Sequence, residues 1–557
     1  MMEPFDRIDI QELPLSVPLF RRKVEDFLGR NGLRLEEVDL YLAVLDADGG
    51  ILAGGGLHRD IVKCIAVSDS ARSLGLSVPL ISRLISVASE RGYANVKVFT
   101  KPENRAVFES LGFHVLAEAP KAILMENGRG LEEYCRYLRG FHAVGVIVMN
   151  ANPFTLGHRY LVEQAAAVIS GDSPRRRPRK LIIIPVKEDR SRFPYIARLE
   201  MIRQGCKGLG TVVEGSDYQI SAATFPTYFL KDLSDAAETQ MRLDIDLFGR
   251  HIAPALGASI RFVGSEPTDA LTARYNALMK ELLPAYGIQV VEVQRLRNSD
   301  GEISASWVRA SLAAGDFASA SALTPDFSRP NLMTYLAVRA LQMELEAPLK
   351  PGLVGPDSNG AHKDMDYALM LRSIDAIRPF FPRMAMAATP EELRQLGIDA
   401  EKAMLAATGG VNTHRGAIFA LGLALYGRPM DETAAALDDG SSLRRDPVIK
   451  GAMQMALDGY RELHEDWLPY YRNVKGQPLD LQKTLLRIMS TLDDTCIIKR
   501  VGFERAQEVK REAKELLDDF SQKKLQQLCD RYADEGISPG GAADMLALTI
   551  FMDSFNK

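Results

Sequence analysis

Apolar residues along the chain fall into three successive patterns. Over residues 1 to about 130, short apolar runs predict strands interleaved with helices. The stretch Y-L-A-V-L-D-A-D-G-G-I-L-A-G-G-G-L reads as a hairpin turning at Asp48-Gly49-Gly50. A strand near 64–67 follows, then a helix from about Leu76 whose Leu80, Ile81, Leu84, Ile85 and Ala88 share one face. From about 140 to 330 the strands become almost wholly apolar: H-A-V-G-V-I-V-M, K-L-I-I-I-P-V and R-F-V-G. Leu161, Val162, Ala165, Ala166 and Ile169 mark a helix after the first of them. Apolar strands alternating with amphipathic helices predict a parallel sheet covered on both faces. Beyond about 331 the strand signal fades, and helices are expected over 331–345, 365–377, 417–425, 481–489 and 506–517. The segment 417–425 is apolar all round, so it belongs at a helical centre. Pro330 disfavours helix before it, which makes 326–330 a boundary. The expected fold class is α/β plus all-α, multidomain, divided as 1–130, 140–325 and 331–557, with no internal repeat.

Composition narrows the function classes. The 557 residues are 46% hydrophobic and 25% charged, as in soluble globular chains, with a net charge of −5. Near-neutrality argues against a nucleic-acid binder or a protein held on an anionic membrane. No apolar run approaches the roughly 20 residues of a membrane span, and the first residues lack a signal-peptide core, so a cytoplasmic location is expected. Cys64, Cys135, Cys206, Cys496 and Cys529 are odd in number, scattered and without a C-x-x-C pair, which fits reduced thiols. The basic stretch 174–180, P-R-R-R-P-R-K, is a solvated connection or a binding patch.

Candidate chemistry concentrates first between the apolar strand and the following helix, in M-N-A-N-P-F-T-L-G-H-R-Y-L. That is where a parallel sheet binds nucleotides, at a strand's carboxyl end facing a helix start. Thr155 and His158 flank Gly157, which permits close backbone approach, so hydroxyl and imidazole can face a phosphate. Downstream, in I-S-A-S-W-V-R, Ser304 and Ser306 can cap a helix and Arg309 can fork onto phosphate oxygens. Each piece alone also reads as an ordinary turn or cap. Together they resemble the H-x-G-H/T-x-G-H nucleotidyltransferase superfamily, a Rossmann-like fold, with I-S-x-[ST]-x-x-R as its second signature.

The stretches N-A-N-P-F-T-L-G-H-R-Y-L, A-T-F-P-T-Y-F-L-K-D, R-F-V-G-S-E-P and I-S-A-S-W-V-R are similar to the citrate lyase ligase family over roughly residues 1–325. The resemblance implies that acetate attacks the α-phosphate of ATP and that acetyl-AMP then acetylates the prosthetic-group thiol of the citrate lyase acyl carrier protein. It implies charge stabilisation by His158 and Arg309, hydrogen bonds from Thr155 and Ser306, and Mg²⁺ on the departing pyrophosphate. Asn150, Asn152, Gly157, Gly264 and Ser304 would line the nucleotide site. Ser265 stands where the family often has an acidic residue. The first region, with A-R-S-L-G-L-S and N-R-A-V-F-E-S-L-G-F, resembles the GNAT fold. There Arg72 and Gly75 match a turn that holds a pantetheine pyrophosphate, while Ser77 departs from it. Two readings stay open for this domain: a packing domain, or a dock for the carrier's pantetheine arm.

The helical region carries four polar clusters. Asn359, His362 and Asp366 are spaced to share one helix face, with Asp364 off that stripe. T-G-G-V-N-T-H-R-G presents Asn412, His414 and Arg415; L-D-D-T presents Asp493 and Asp494; S-P-G-G-A-A-D opens a helix with Gly540 and Gly541, an anion site, with Asp544 in its first turn. Singly these are helix caps; jointly they suit a Mg²⁺–polyphosphate site. P-L-K-P-G-L-V, N-G-A-H-K-D-M-D, T-G-G-V-N-T-H-R-G-A-I-F and S-P-G-G-A-A-D-M-L-A resemble the triphosphoribosyl-dephospho-CoA synthase family over about 335–557. That implies attack of dephospho-CoA's ribose hydroxyl on ATP's C1′, with loss of adenine. Asp366 and His362 would serve the substrate side, Asp493 and Asp494 the metal. The segment 499–502 keeps Arg500 and Gly502 of the family's pattern but lacks its histidine and one glycine. The expected function is therefore a bifunctional citrate lyase maturation enzyme using ATP and Mg²⁺, whose partners are the citrate lyase complex, acetate and dephospho-CoA. The alternatives are a pantetheine-type adenylyltransferase and a non-catalytic carrier-protein scaffold with a degenerate C-terminal half.

Overall fold

The computed structural model describes residues 8–170, 180–187, 191–220, 225–226, 233–267, 269–299, 301–438 and 452–555. The basic stretch 174–180 lies outside them except for Lys180, and of A-T-F-P-T-Y-F-L-K-D only Phe225 and Pro226 lie within them. The chain forms two compact units, Met1–Ile303 and Ser304–Lys557. The sequence-based division into three was finer; the two sheets lie within its first two parts, but residues 304–325, assigned to the second part, fall in the second unit.

The first sheet joins β1 (Ile10–Glu12), β2 (Leu40–Leu45), β3 (Ile51–His58), β4 (Ile61–Val67), β5 (Val96–Thr100), β6 (His114–Ala119) and β7 (Ala122–Asn127) in the order 1-2-3-4-5-7-6. Only β4 and β5 run parallel. The anticipated hairpin is β2–β3, and its turn is fixed by Asp46 Oδ1, which accepts the N–H groups of Asp48 at 2.9 Å and Gly50 at 2.6 Å. The helix Ser77–Glu90 buries Leu80, Ile81, Leu84 and Ala88 as its periodicity required.

The second sheet joins β8 (Gly145–Met149), β9 (Leu181–Pro185), β10 (Thr211–Val212), β11 (Ile260–Gly264) and β12 (Gln289–Val293). Its order is 10-9-8-11-12, and every pair is parallel. Strand order reverses beside β8, so the crevice at its carboxyl end is the natural ligand position. The helix Leu156–Ser170 packs on one face: a Cβ on Gly145 would meet Phe262 and Ile169 within 2.6 Å.

The second unit is helical apart from one isolated bridge, among the described residues. Helices Arg329–Glu346, Tyr367–Ile377, Arg415–Tyr426, Asp480–Thr491 and Phe503–Asp518 realise the five expected segments. Arg415–Tyr426 and Gly540–Asp553 are the apolar centre: Leu421, Leu546 and Leu548 are fully buried. The helix Pro390–Ala407 was not anticipated, although T-P-E-E is a start signal: Thr389 Oγ1 accepts the Glu392 N–H at 3.2 Å, and Glu392 reaches back to the Ala388 N–H. Among the described residues no helix is long and apolar enough to cross a membrane.

Candidate active sites

In the first unit the T-x-G-H turn leads from β8 into its helix. The Thr155 N–H donates to His158 Nδ1 at 3.1 Å, and the Thr155 hydroxyl lies 2.8 Å from the same nitrogen. That hydroxyl also accepts the His158 N–H at 3.3 Å. With Nδ1 accepting, the neutral ring carries its proton on Nε2. Phe154 supports the imidazole, their rings stacked at 5.6 Å. Thr155 is 1% exposed and spends its hydroxyl on orienting His158. Gly157 is obligatory here, because a Cβ would stand 2.9 Å from the Ile303 carbonyl oxygen.

Asn150 and Asn152, expected to bind nucleotide, turn their side-chain oxygens inward. Asn152 Oδ1 accepts the Phe193 N–H at 3.1 Å, and Asn150 Oδ1 accepts from Arg198 at 2.7 Å and from Ser191 at 3.3 Å. Arg198 is fully buried and also reaches the carbonyls of Asn150, Val186 and Phe193, so it shapes the loop. Sequence reasoning missed it; the arginine inside an otherwise apolar stretch of the helix Tyr195–Gly205 was its one signal. Gly264 ends β11 with its carbonyl accepting from Asn276 at 2.8 Å. Ser265 serves the structure of the loop, since its hydroxyl accepts the Arg295 N–H at 3.0 Å, beside the Arg295–Glu266 ion pair.

Arg72 is exposed and pairs with Asp69 at 2.6 Å, and Gly75 takes a left-handed conformation with φ +64°. Ser304, Ser306 and Arg309 open the second unit. Ser304 caps the helix Ala305–Ala313, accepting the Trp307 N–H at 3.3 Å, and its hydroxyl meets that of Ser306 at 2.8 Å.

The helical unit corrects three expectations. First, Asn359, His362 and Asp366 share no helix face. The helix begins only at Tyr367, with Asp366 as its N-cap, because Gly360 (φ +56°) turns the chain beforehand. Asp366 Oδ1 accepts the Leu369 N–H at 2.7 Å; its other oxygen makes no hydrogen bond among the described residues. His362 is instead held by partners distant in sequence: its Nε2 lies 2.8 Å from Ser538 Oγ and its Nδ1 accepts from Arg500 at 3.3 Å. Burial and then Arg500 lower its pKa. The altered segment thus still reaches the first cluster through Arg500. Asp364 is exposed, 3.9 Å from His362.

Second, the start of the Gly540–Asp553 helix is already filled by the chain's own anion. Asp494 accepts the N–H groups of Ala542 at 2.9 Å and Cys496 at 2.8 Å, and a Cβ on Gly541 would sit 3.0 Å from it. Third, Asp493 and Asp494 do not fit a metal pair. Asp493 bonds Lys510 at 2.8 Å, while Asp494 spends its oxygens on backbone. Among the described residues no group of three or more His, Cys, Asp and Glu side chains is placed to hold a metal ion.

Around Asp494 lies a buried polar knot. Burial pushes the Asp494 carboxyl up despite four backbone N–H groups. Burial, then Asp494 and Glu344, raise Asp544 well above the usual carboxylate range. Asp544 fills the space beside Gly416, where a Cβ would stand 2.0 Å from its oxygen. Glu344 pairs with Lys350 at 2.6 Å, both 5% exposed. His414 Nδ1 lies 2.7 Å from Ser373 Oγ, its Nε2 has no partner among the described residues, and burial lowers its pKa to about 4. The Tyr460 hydroxyl is also buried without a partner there. Asn412 caps the next helix through the Arg415 N–H at 3.3 Å, and Arg415 pairs with Glu401. Glu344 and Tyr460 carried no sequence signal; Lys350 stood unnoticed in P-L-K-P-G-L-V.

Comparison with known proteins assigns each region. Residues 144–331 match the model "Citrate lyase ligase C-terminal domain", and 330–439 with 428–557 match "ATP:dephospho-CoA triphosphoribosyl transferase". The [Citrate [pro-3S]-lyase] ligase of Klebsiella pneumoniae is 40% identical over 57% of this chain and 92% of its own length. That of Escherichia coli K12 is 39% identical over 54% and 87%. A probable 2-(5''-triphosphoribosyl)-3'-dephosphocoenzyme-A synthase of Streptococcus mutans is 33% identical over 39% of this chain and 94% of its own length. The chain is thus an enzyme of a combined class, a ligase joined to a transferase. It belongs to the citrate lyase ligase family in its N-terminal part and to the triphosphoribosyl-dephospho-CoA synthase family in its C-terminal part, a pairing that makes it a bifunctional citrate lyase maturation enzyme.

Proposed function

We propose that the N-terminal part activates acetate with ATP and acetylates the prosthetic-group thiol of the citrate lyase acyl carrier protein. The helical part makes triphosphoribosyl-dephospho-CoA, the precursor of that group, from ATP and dephospho-CoA. One observation carries the ligase reading: the T-x-G-H turn at the carboxyl end of β8 fixes the His158 tautomer through Thr155. In the first step a carboxylate oxygen bonds to the α-phosphorus and the bond to the β-phosphate oxygen breaks, releasing pyrophosphate. The thiolate then attacks the acetyl carbonyl and AMP leaves. His158 Nε2–H stabilises charge on the phosphates, a role of positioning and electrostatics. Ser306 and Arg309 at the start of the helix Ala305–Ala313 are assigned to phosphate binding.

In the helical part the ribose hydroxyl of dephospho-CoA attacks C1′ of ATP as the C1′–N9 bond breaks. The hydroxyl proton balances the one gained by adenine at N9. Asp366, with one oxygen fixed by Leu369, is the carboxylate assigned to this chemistry, and His362 the neighbouring polar group. Mg²⁺ would be carried by the nucleotide's phosphates.

The 1-2-3-4-5-7-6 strand order with its single parallel pair supports a GNAT-like first domain, and the 10-9-8-11-12 parallel order supports a Rossmann-like HxGH-type second. A cytoplasmic location follows the partners. The test is a product assay on the full chain. ATP with acetate and carrier protein should yield AMP and pyrophosphate; ATP with dephospho-CoA should yield adenine. Neither product would favour a scaffold, and a stable adenylylated pantetheine product would favour an adenylyltransferase.

A further inference from the structure

A buried charge in the second sheet, near the Asp244 carboxylate, lacks hydrogen-bond partners for two of its donors among the described residues. Arg261 of β11 is 5% exposed, yet its Nε and Nη1 have no hydrogen-bond partner among the described residues. Burying a guanidinium with unmet donors is costly, so a site that keeps one has a use for it. Phe262 faces the Leu156–Ser170 helix, so strand alternation turns Arg261 to the opposite face. There it lines a cavity of about 340 Å³, closed by residues of the helices Leu233–Leu247 and Ala270–Leu282.

The neighbours hold the guanidinium without satisfying it. It lies over the Phe248 ring at 4.4 Å. Asp244 spends its oxygens on the Ile220 N–H at 2.9 Å and on the Tyr275 hydroxyl. The remaining walls mix apolar side chains, among them Val148, Ile184 and Leu247, with the polar groups of Tyr218, Gln219, Gln240 and Thr272. Asn150, the first residue after β8 and the start of the loop that carries Thr155 and His158, also lines the cavity. One cation, Arg261, with apolar side chains beside it suits a single carboxylate on a short alkyl chain. A polyphosphate would call for several cations or a nest of backbone N–H groups.

We propose that this cavity is the acid-substrate pocket of the ligase region, in which Arg261 binds the carboxylate of a short monocarboxylic acid and the apolar walls receive its alkyl end. The inference rests on the ligase reading and names where its acid binds. Tyr275 and Asp244 position Arg261 and the cavity wall.

Arg261→Met and Arg261→Lys in the full chain test it. In acetate-dependent pyrophosphate release, Arg261→Met should raise KM for acetate by about 10- to 100-fold, the worth of a charge-assisted hydrogen bond, and leave KM for ATP within about twofold. Arg261→Lys should fall between it and wild type, since charge survives without the fork. A large drop in melting temperature of the Met variant with unchanged KM for acetate would make Arg261 structural and overturn the proposal. A rise in KM for ATP alone would assign the cavity to nucleotide and overturn it as well. Saturation-transfer NMR of acetate on wild type and Arg261→Met separates the two readings. Wild-type binding lost in the variant, with no pyrophosphate from wild type, would retain the pocket and sink the ligase reading. Pyrophosphate from wild type with equal acetate binding by both proteins would retain the ligase and sink the pocket.

Discussion

In the first unit a buried guanidinium, Arg261, faces a cavity with two donors unmet among the described residues, while in the second unit two glycine-containing helix starts are met by the chain's own carboxylates. Asp494 covers the start of Gly540–Asp553, and Asp544 stands beside Gly416 at the start of Arg415–Tyr426. Both arrangements answer the same physical demand, that a buried charge or dipole end needs an opposite partner. They differ in where the partner comes from. A helix start that reads as a phosphate site has two solutions, an external anion or an internal aspartate, and the local sequence does not choose between them. On the proposed reading, the contrast separates a region that binds a small anion from one whose helix starts are met from within.

The internal neutralisation makes the largest prediction. Lys350→Met leaves Glu344 charged and unpaired in the helical core, at a cost of about 3–5 kcal/mol. Urea unfolding of the full chain should show this loss in the transition of the helical unit. Adding Glu344→Leu should restore most of it, since an apolar pair can replace a buried ion pair. Retained stability in Lys350→Met would mean that Glu344 takes up a proton or another partner, and the two units would no longer differ in kind.

The ligase site gives the next. His158→Ala removes the phosphate-facing imidazole but not the fold of the turn, and should slow acetate-dependent pyrophosphate release by about 10²–10³. Adenine release should be unchanged. Equal loss of both activities would mean that the sites are not separate. Asp366→Asn then asks whether the helical unit has an external substrate site of its own. Asparagine caps a helix as well as aspartate does, so the Leu369 N–H keeps its acceptor and stability should hold within about 0.5 kcal/mol. Adenine release should nonetheless fall about 10²-fold, because the carboxylate charge is gone. Unchanged adenine release would leave Asp366 as a cap alone.

How much of this was legible follows the range of the interactions. The hairpin, the parallel sheet and the five helices came from periodicity, which is local, and the T-x-G-H turn closes within four residues. The shared face assigned to Asn359, His362 and Asp366 failed because Gly360 breaks the run, a conformational fact that spacing does not encode. Ser538 and Arg500 beside His362 lie more than a hundred positions away, so nothing near the histidine announced them. Arg261 was legible in principle: an arginine beside Phe262 and Val263 in the strand R-F-V-G contradicts its apolar surroundings.

The smallest effect concerns pH and isolates one member of the helical knot. Burial lowers His414 to about 4, whereas an unfolded histidine titrates near its ordinary 6.5. The unfolded chain therefore binds more protons between those values, and stability rises with pH through that window. Relative to its full value above pH 6.5, the contribution is lost progressively as pH falls toward 4. The raised Asp494 and Asp544 act in the opposite sense, since their folded forms hold protons longer and their contribution is lost as pH rises. A melting curve of wild type alone mixes the two. The causes acting on His414 are burial and Lys350, not either aspartate, so comparison with His414→Asn cancels the carboxylates. Its amide oxygen can replace Nδ1 toward Ser373. Between pH 7 and pH 5 the wild type should lose about 2 kcal/mol more than the variant, read as the difference in their urea midpoints multiplied by the common slope. Parallel losses in the two proteins would show His414 gaining a partner for its second nitrogen on protonation, and the internal neutralisation would then extend to it.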